Sequence, residues 1–538
     1  MAIKVGGTEV VDNNRQLKNI ASVDATTVAA LGTAGVGGGG GKFTATADGA
    51  IAIGKPVALQ SNGTVKQVAN PVSDISPMTL NTARDISISP NTPAYSYGNL
   101  HYWPDIDAVI YCYVSGADIR MHTAYYSNAN ESYTNRHNTF HVGDTHDSNS
   151  LTTAFDPTNG YLFIAWKSSS TGFRYRLVKF QVSGATLDYY STSETTETNY
   201  GNVRSSGSTQ LSMAYSTTDG HFRLAFVNEF SNMHVITYEP SGTTSPSLTA
   251  KGSANMVTSI NNTEDLWMAY NSDDNRFLVT CRNNANNDDK GYYYYFSTST
   301  SNGTVTLHEQ NYFYSGGWIY YTRCEYNAED NCFVVAFHHT NGLGIKQLDV
   351  NGTSLTNVGG AANSFVQNSS GAGRRVHLKY DSIGKKIILA RIKPSTSNTL
   401  QVMKVVTSGS SPSIADEIDL HTEGVGDSVN VAALTEHQKM LAASVKTNGL
   451  MKYRTFNAAA ATSNNTSWIG FAESAISDTA TGDILVVGSV AENQSGLTIG
   501  STYYVQQDGT LATGSSNAIK AGRAIAANKL LITEGNTA

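Results

Sequence analysis

Charge is scarce in this chain. Asp, Glu, Lys and Arg make up 15% of its 538 residues, and the formal net charge is −7. A polar, nearly neutral surface lacks the basic footprint by which nucleic-acid binders hold phosphates, so nucleic acid is not an expected partner. No run approaches the roughly 20 apolar residues needed to cross a bilayer, and membrane insertion is not expected. The opening "MAIKVGGTEVVDNN" has no apolar core of the kind a signal peptide needs, which points to synthesis in a cytoplasm. Cysteine is nearly missing: Cys112, Cys281, Cys324 and Cys332 are the four, without C-x-x-C spacing. So few thiols in so long a chain do not make a disulfide framework. Cys112, Cys281 and Cys332 fall in or beside β-rich runs, where a free thiol serves as a small apolar side chain.

What is abundant is repetition. "TAFDPTNGYLFIAW", "MAYSTTDGHFRLAF", "AYNSDDNRFLVTC", "CEYNAEDNCFVVAF" and "LKYDSIGKKIILAR" share one pattern, and "HYWPDIDAVIYCY" and "AALTEHQKMLAAS" are weaker copies. Their leading residues are Trp103, Phe155, Tyr215, Tyr270, Tyr326, Tyr380 and Leu434, spaced by 52, 60, 55, 56, 54 and 54 residues. A near-constant period marks a repeat architecture. Within a copy, a β-rich run ends on the leading residue and Asp, Asn, Gly and Ser supply a tight turn. A β-branched or aromatic run then returns antiparallel. Two more short runs complete the period, as in "FRYRLVKFQV" and "TLDYY", or "LQVMKVV" and "IADEIDL". Four strands in about 50 residues, stacked radially, describe a β-propeller blade. The expected fold is therefore all-β, a seven-bladed propeller over residues 73–466. The fourth strand of the last repeat is weak, since "NAAAATSNN" is small and polar. A segment within Met78–Pro90 is expected to supply it and remove an exposed edge.

The two ends differ from the middle. "SVDATTVAALGTAG" reads as a short helix capped by Ser22 or Asp24 and stopped by Gly32 or Gly35. Alone it is too short to be stable, and Ile20, Val23, Val28 and Leu31 need a partner that identical sister chains would supply. Gly37–Gly41 follow without the strand and helix of a phosphate-binding loop, and read as a hinge. Residues 1–41 are thus expected to be an oligomerisation segment ending in that hinge. "KFTATADGAIAIGKPVALQSNGTVKQVA" has a hairpin turn at Asn62–Gly63, and the far end is written in the same style. Residues 42–72 and 467–538 are expected to make one small discontinuous β domain, with the propeller inserted between its halves.

The phrases "GGTEVVDNNRQLKNI", "ATTVAALGTAGVGGGG", "GKPVALQSNGTVKQV" and "GLTIGSTYYVQQDGTLAT…IKAGRAIAANKLLI" resemble recurrent modules of tail-fibre and other appendage proteins of tailed bacteriophages. The resemblance covers roughly the 140 residues of the two ends. It implies a virion component, a homotrimer held to other virion proteins by its N-terminus, whose head meets a glycan or protein receptor on the host surface. The shaft is short for a fibre, which leaves a capsid fibre or decoration protein as one alternative. A tailspike polysaccharide depolymerase is the other.

Chemistry is sparsely signalled. The Ser-x-Asp-x-Gly-x-Thr-Trp boxes of sialidase propellers are missing, as are HExxH and GxSxG. Asp273–Asp274 and Glu329–Asp330 pair carboxylates, but both lie in the repeated turn, where acidic residues serve turn geometry. In "RHNTFHVGDTHDSN", His137, His141 and His146 with Asp144 and Asp147 could bind a metal. Their spacing fits no standard zinc site, and the expected setting is a polar exposed loop. The Asp/Asn turns lack the calcium-loop pattern. No catalytic, cofactor or metal residue is therefore assigned, and the chain is expected not to be an enzyme. "KGYYYYFSTST" and "GGWIYYTRC" place rings on both faces of a strand, and outward tyrosines could stack on sugars or anchor an interface.

Overall fold

A computed structural model describes Ile3–Val5, Thr8–Val11 and most of residues 41–533. The longer stretches outside it are 12–40, 69–77, 87–99, 204–210, 284–289, 394–398 and 459–467, together with 534–538 and most of 359–373. The expected helix at Val23–Leu31 and the glycine run before Gly41 lie outside the described residues. Ile3–Val5 and Thr8–Val11 pair antiparallel. No α-helix occurs among the described residues. Two compact units emerge: Met1–Val72 with Thr462–Ala538, and Ser73–Ala461.

The smaller unit holds two five-stranded sheets. In the first, Lys42–Thr46 pairs with Thr481–Leu485, and Pro56–Leu59 pairs with Trp468–Ala472, so both chain segments share one sheet. Gly470 permits this: a Cβ there would lie 2.1 Å from the Leu485 carbonyl oxygen. Trp468 is fully buried and donates its indole N–H to the Gly470 carbonyl at 2.8 Å.

The larger unit is built of seven antiparallel sheets among the described residues, each with four consecutively paired strands. Sheets I to VI run in chain order through residues 100–144, 146–191, 211–257, 263–314, 319–358 and 374–421. Sheet VII takes Val425–Leu434, Lys439–Lys446 and Met451–Asn457, and its fourth strand is Thr79–Ile86, paired antiparallel with Met451–Asn457. Cores form between sheets. One apolar cluster joins I to II, and others join II to III and each later pair through to VII. A further cluster joins Leu434, Leu441 and Tyr453 of sheet VII to Tyr102, Val109 and Tyr111 of sheet I. The fold is all-β and propeller-like.

The repeated turn has a local cause. In the five copies led by Phe155, Tyr215, Tyr270, Tyr326 and Tyr380, the residue after the leading one is buried and caps the turn. Asp156 Oδ1 accepts the amides of Thr158 and Asn159, Asn271 Oδ1 those of Asp273 and Asp274, and Asn327 Oδ1 that of Glu329. These are Asx turns. Five residues after the lead the backbone turns left-handed, at Gly160, Gly220, Asn275, Asn331 and Lys385. In the first copy, one residue shorter, Pro104–Ile106 forms a single 3-10 turn and Asp107 takes that role at φ 51°. Capping thus belongs to Asn271 and Asn327, and the adjacent carboxylate pairs do something else. They tie one sheet to the next: Tyr326 donates to Asp273 Oδ2 at 2.9 Å, and Lys385 Nζ meets Glu329 Oε2 at 2.8 Å. Tyr270 Oη lies 2.6 Å from Thr218 Oγ1, and His437 Nε2 is 2.7 Å from Asp107 Oδ1 between sheets VII and I. The repeat therefore writes its own inter-sheet connections.

Two expectations are corrected. The histidine stretch is strand rather than loop: Ser132–Asp144 is the fourth strand of sheet I, with His137 opposite Thr123 and His141 opposite Arg120, and His146 starts sheet II. A terminal strand pairs along one edge only, so a polar Thr/His/Phe sequence serves there without the alternation of a core strand. The side chains of these histidines lie outside the described residues. The tyrosine run is core on both faces. Tyr293 and Tyr295 pack toward sheet V, while Tyr294 and Phe296 pack toward sheet III. Tyr293 to Phe296 therefore offer no outward ring, while Tyr292 is half-buried and Tyr312, on the terminal strand of the same sheet, is exposed.

Candidate functional site

The first strand of every one of the seven sheets borders a single cavity of about 550 Å³. The volume is in the range of small-molecule sites. Alternation along a strand turns every second residue toward it. The residue just before each leading position lines it in all seven sheets: Tyr102, Ala154, Ala214, Ala269, Glu325, Lys379 and Ala433. Four of the seven are alanine. The exceptions are an aromatic in sheet I and two opposite charges in the neighbouring sheets V and VI.

Lys379 Nζ lies 2.9 Å from Glu325 Oε1, with side chains 44% and 19% exposed, and the Tyr380 amide donates to the same oxygen at 3.3 Å. Two residues earlier in their strands, Trp267 and His377 also border the cavity. Their rings meet edge to face at 5.5 Å, the Trp267 indole N–H donates to the Cys324 carbonyl at 3.1 Å, and the Arg323 guanidinium sits 4.4 Å from the Trp267 ring centroid. Both cavity histidines are neutral. Burial, then the Lys379 charge, pulls His101 down to about 3. Burial, followed by Arg323, Lys379 and His101, holds His377 well below its usual 6.5. His377 Nδ1 accepts the Val431 amide at 3.1 Å, so the ring's proton is on Nε2. His101 Nε2 lies 2.7 Å from Thr153 Oγ1.

The cavity thus offers aromatic and aliphatic walls, neutral imidazoles and one compensated ion pair. Among its described lining residues Glu325 is the single carboxylate. None of these residues stood out in the sequence as a site. The signal was present as a departure from the repeat, where Glu325 and Lys379 stand in the place that most copies give to alanine. Asp273–Asp274 and Glu329–Asp330 lie in the turns and make the ties described above. Among the described residues, no group of three or more His, Cys, Asp or Glu side chains could hold a metal ion. The four cysteines are buried free thiols, and burial pushes that of Cys324 up to about 12.

No protein-family model and no curated protein matches the chain. Partial likenesses exist among solved structures. A protein from Lactobacillus plantarum is 11% identical with a TM-score of 0.41, over 61% of this chain and 89% of that one. The SapL1 lectin in complex with alpha methyl fucoside is 9% identical with a TM-score of 0.37, over 61% of this chain and 96% of that one. A protein named as a 6-phosphogluconolactonase from Bacteroides uniformis is 12% identical with a TM-score of 0.41, over 64% of this chain and 88% of that one. Likenesses this low carry no argument about ligand or activity.

Proposed function

We propose that the seven sheets are the blades of a closed seven-bladed β-propeller, and that this propeller is the non-enzymatic, glycan-binding head of a bacteriophage appendage protein. The cluster shared by sheets VII and I, and the pairing of Thr79–Ile86 into sheet VII, support closure. The phage setting rests on the resemblance of the two ends, and with it come virion localisation, a homotrimer and attachment to other virion proteins through the N-terminal segment. The observation that carries the binding role is the cavity itself. It gathers side chains from all seven blades, mixes aromatic with aliphatic walls, and has one carboxylate among its described lining residues. A glycosidase needs two carboxylates flanking the scissile bond, and Glu325 is already engaged by Lys379 and the Tyr380 amide. Three heads on one stalk convert weak single-site binding into avidity. The test is an array of bacterial surface glycans probed with the full chain, followed by incubation with each polysaccharide bound. Retained binding without released oligosaccharide is the expected result. Chain cleavage would instead make the protein a depolymerase, and no binding to any glycan would refute the glycan role.

A further inference from the structure

We infer that Glu325 and Lys379 together form the sugar-recognition pair of the axial cavity, and that the residue they take is a neutral saccharide held through two neighbouring hydroxyl groups. The inference rests on the glycan-binding reading above and narrows it.

Four blades show that alanine satisfies the position: Ala154, Ala214, Ala269 and Ala433. Blade architecture therefore does not require a charge there. An ion pair at the only two charged positions of this ring is also a poor device for stability, because partly exposed pairs contribute little. What the pair does supply is a fixed acceptor beside a fixed donor, 2.9 Å apart and facing a cavity of about 550 Å³. A sugar hydroxyl both donates and accepts. Two adjacent hydroxyls can therefore satisfy carboxylate and ammonium at once, one donating to Glu325 and the other accepting from Lys379. The Tyr380 amide on Glu325 Oε1 fixes the carboxylate in place.

The charge balance selects the ligand class. Glu325 compensates Lys379, and the two nearby imidazoles are neutral. A carboxylated or sulfated sugar would meet Glu325 at close range, and Lys379, already paired with Glu325, is the single cation among the described lining residues. A neutral ring pays no such penalty. Its apolar C–H face has Trp267 and Tyr102 as aromatic neighbours, and the small alanines leave it room.

The decisive variant is the double replacement Glu325→Ala with Lys379→Ala, which writes into blades V and VI what four other blades already have. Its melting temperature should stay close to that of the parent, because both partners of the pair leave together. Its binding to neutral glycans on the array should fall at least tenfold. Ala214→Leu, which narrows the cavity without touching the pair, should reduce binding likewise and covers the case in which the double variant does not fold. Unchanged binding by the double variant would overturn the inference while leaving the glycan role standing, and unchanged binding by both variants would also place the glycan elsewhere on the chain. Selective binding of acidic glycans, strengthened by Glu325→Gln, would overturn the neutral-sugar assignment. A parent chain that binds no glycan removes the underlying reading and the inference with it.

Discussion

Single side chains tie the sheets of the larger unit together in two chemically different ways. Arg223 is fully buried, donates to Thr298 Oγ1 at 2.8 Å and to Asp219 Oδ1 at 3.0 Å, and lies 5.2 Å from the Phe277 ring centroid. Burial alone would raise the Asp219 carboxyl, but the Arg223 contacts, together with hydrogen bonds from Ser216 and the His221 amide, outweigh it and hold the group below its usual range. Arg223→Ala leaves that carboxylate buried without its cation, at a cost of about 3–5 kcal/mol. Arg223→Met combined with Asp219→Leu removes both charges and should cost far less. Denaturant unfolding of the two variants measures the difference, and equal losses would refute the pairing argument. The cavity histidines set a second, pH-dependent contribution. His101 stays neutral down to about 3 in the fold but takes a proton near its usual 6.5 when unfolded. Between those values the unfolded chain binds more protons, so stability rises with pH and is lost as pH falls below 6.5. Replacing His101→Gln and His377→Asn together, which keeps a polar atom at each bonding position, should flatten the fall of melting temperature between pH 6.5 and 4. An unchanged slope would assign acid sensitivity to other groups.

At the scale of the element, the proposed closure makes Thr79–Ile86 the strand that completes sheet VII. The Met78 amide, immediately before it, donates to Asp416 Oδ2 of sheet VI at 2.6 Å, and Met78 packs into the cluster between sheets VI and VII. Amides of Thr79–Ile86 and Met451–Asn457 should therefore exchange hydrogen together, with protection like that of the inner strands. Ala83→Pro, placed opposite Arg454, should expose both strands at once. Exchange in seconds on Thr79–Ile86 alone would show an open ring. The same scale shows why some of the fold was legible in sequence and some was not. The strand–turn–strand unit is local: alternation, a buried Asx cap and one left-handed residue lie within about ten positions, so "NSDDN" and "NAEDN" announce themselves. The four strands of residues 374–421 follow the apolar runs that the sequence displays. What failed was anything decided by neighbours far along the chain. Ser132–Asp144 is polar because it lies at a sheet's edge, and the rings of Tyr293 and Tyr294 both find cores because a sheet stands on either side. Glu325 and Lys379 are 54 residues apart, and only the stacking of two repeats brings them within 2.9 Å.

For the molecule as a whole, one chain makes two compact units. The smaller unit depends on both its segments, because Phe43 lies opposite Ile484 and Val57 opposite Gly470 within one sheet. The larger unit begins and ends in a single strand pair, Thr79–Ile86 with Met451–Asn457. Residues 73–461 alone should accordingly fold and unfold in one cooperative transition, and broad, non-cooperative melting of that fragment would contradict the division. Assembly is a separate matter, argued from sequence. Ile20, Val23, Val28 and Leu31 have an apolar pattern and too little chain of their own to bury it. Each aliphatic side chain removed from water contributes about 1.5–3 kcal/mol, and three sister copies would bury all of them around one axis. The appendage reading thus predicts that the full chain scatters light as about three times 57.5 kDa. A chain lacking residues 1–36 should behave as a monomer that still binds its glycan, though more weakly on a dense surface, because avidity is lost while the single site survives. A full-length monomer at micromolar concentration, unchanged by that deletion, would remove the trimer and the multivalent mode of binding with it.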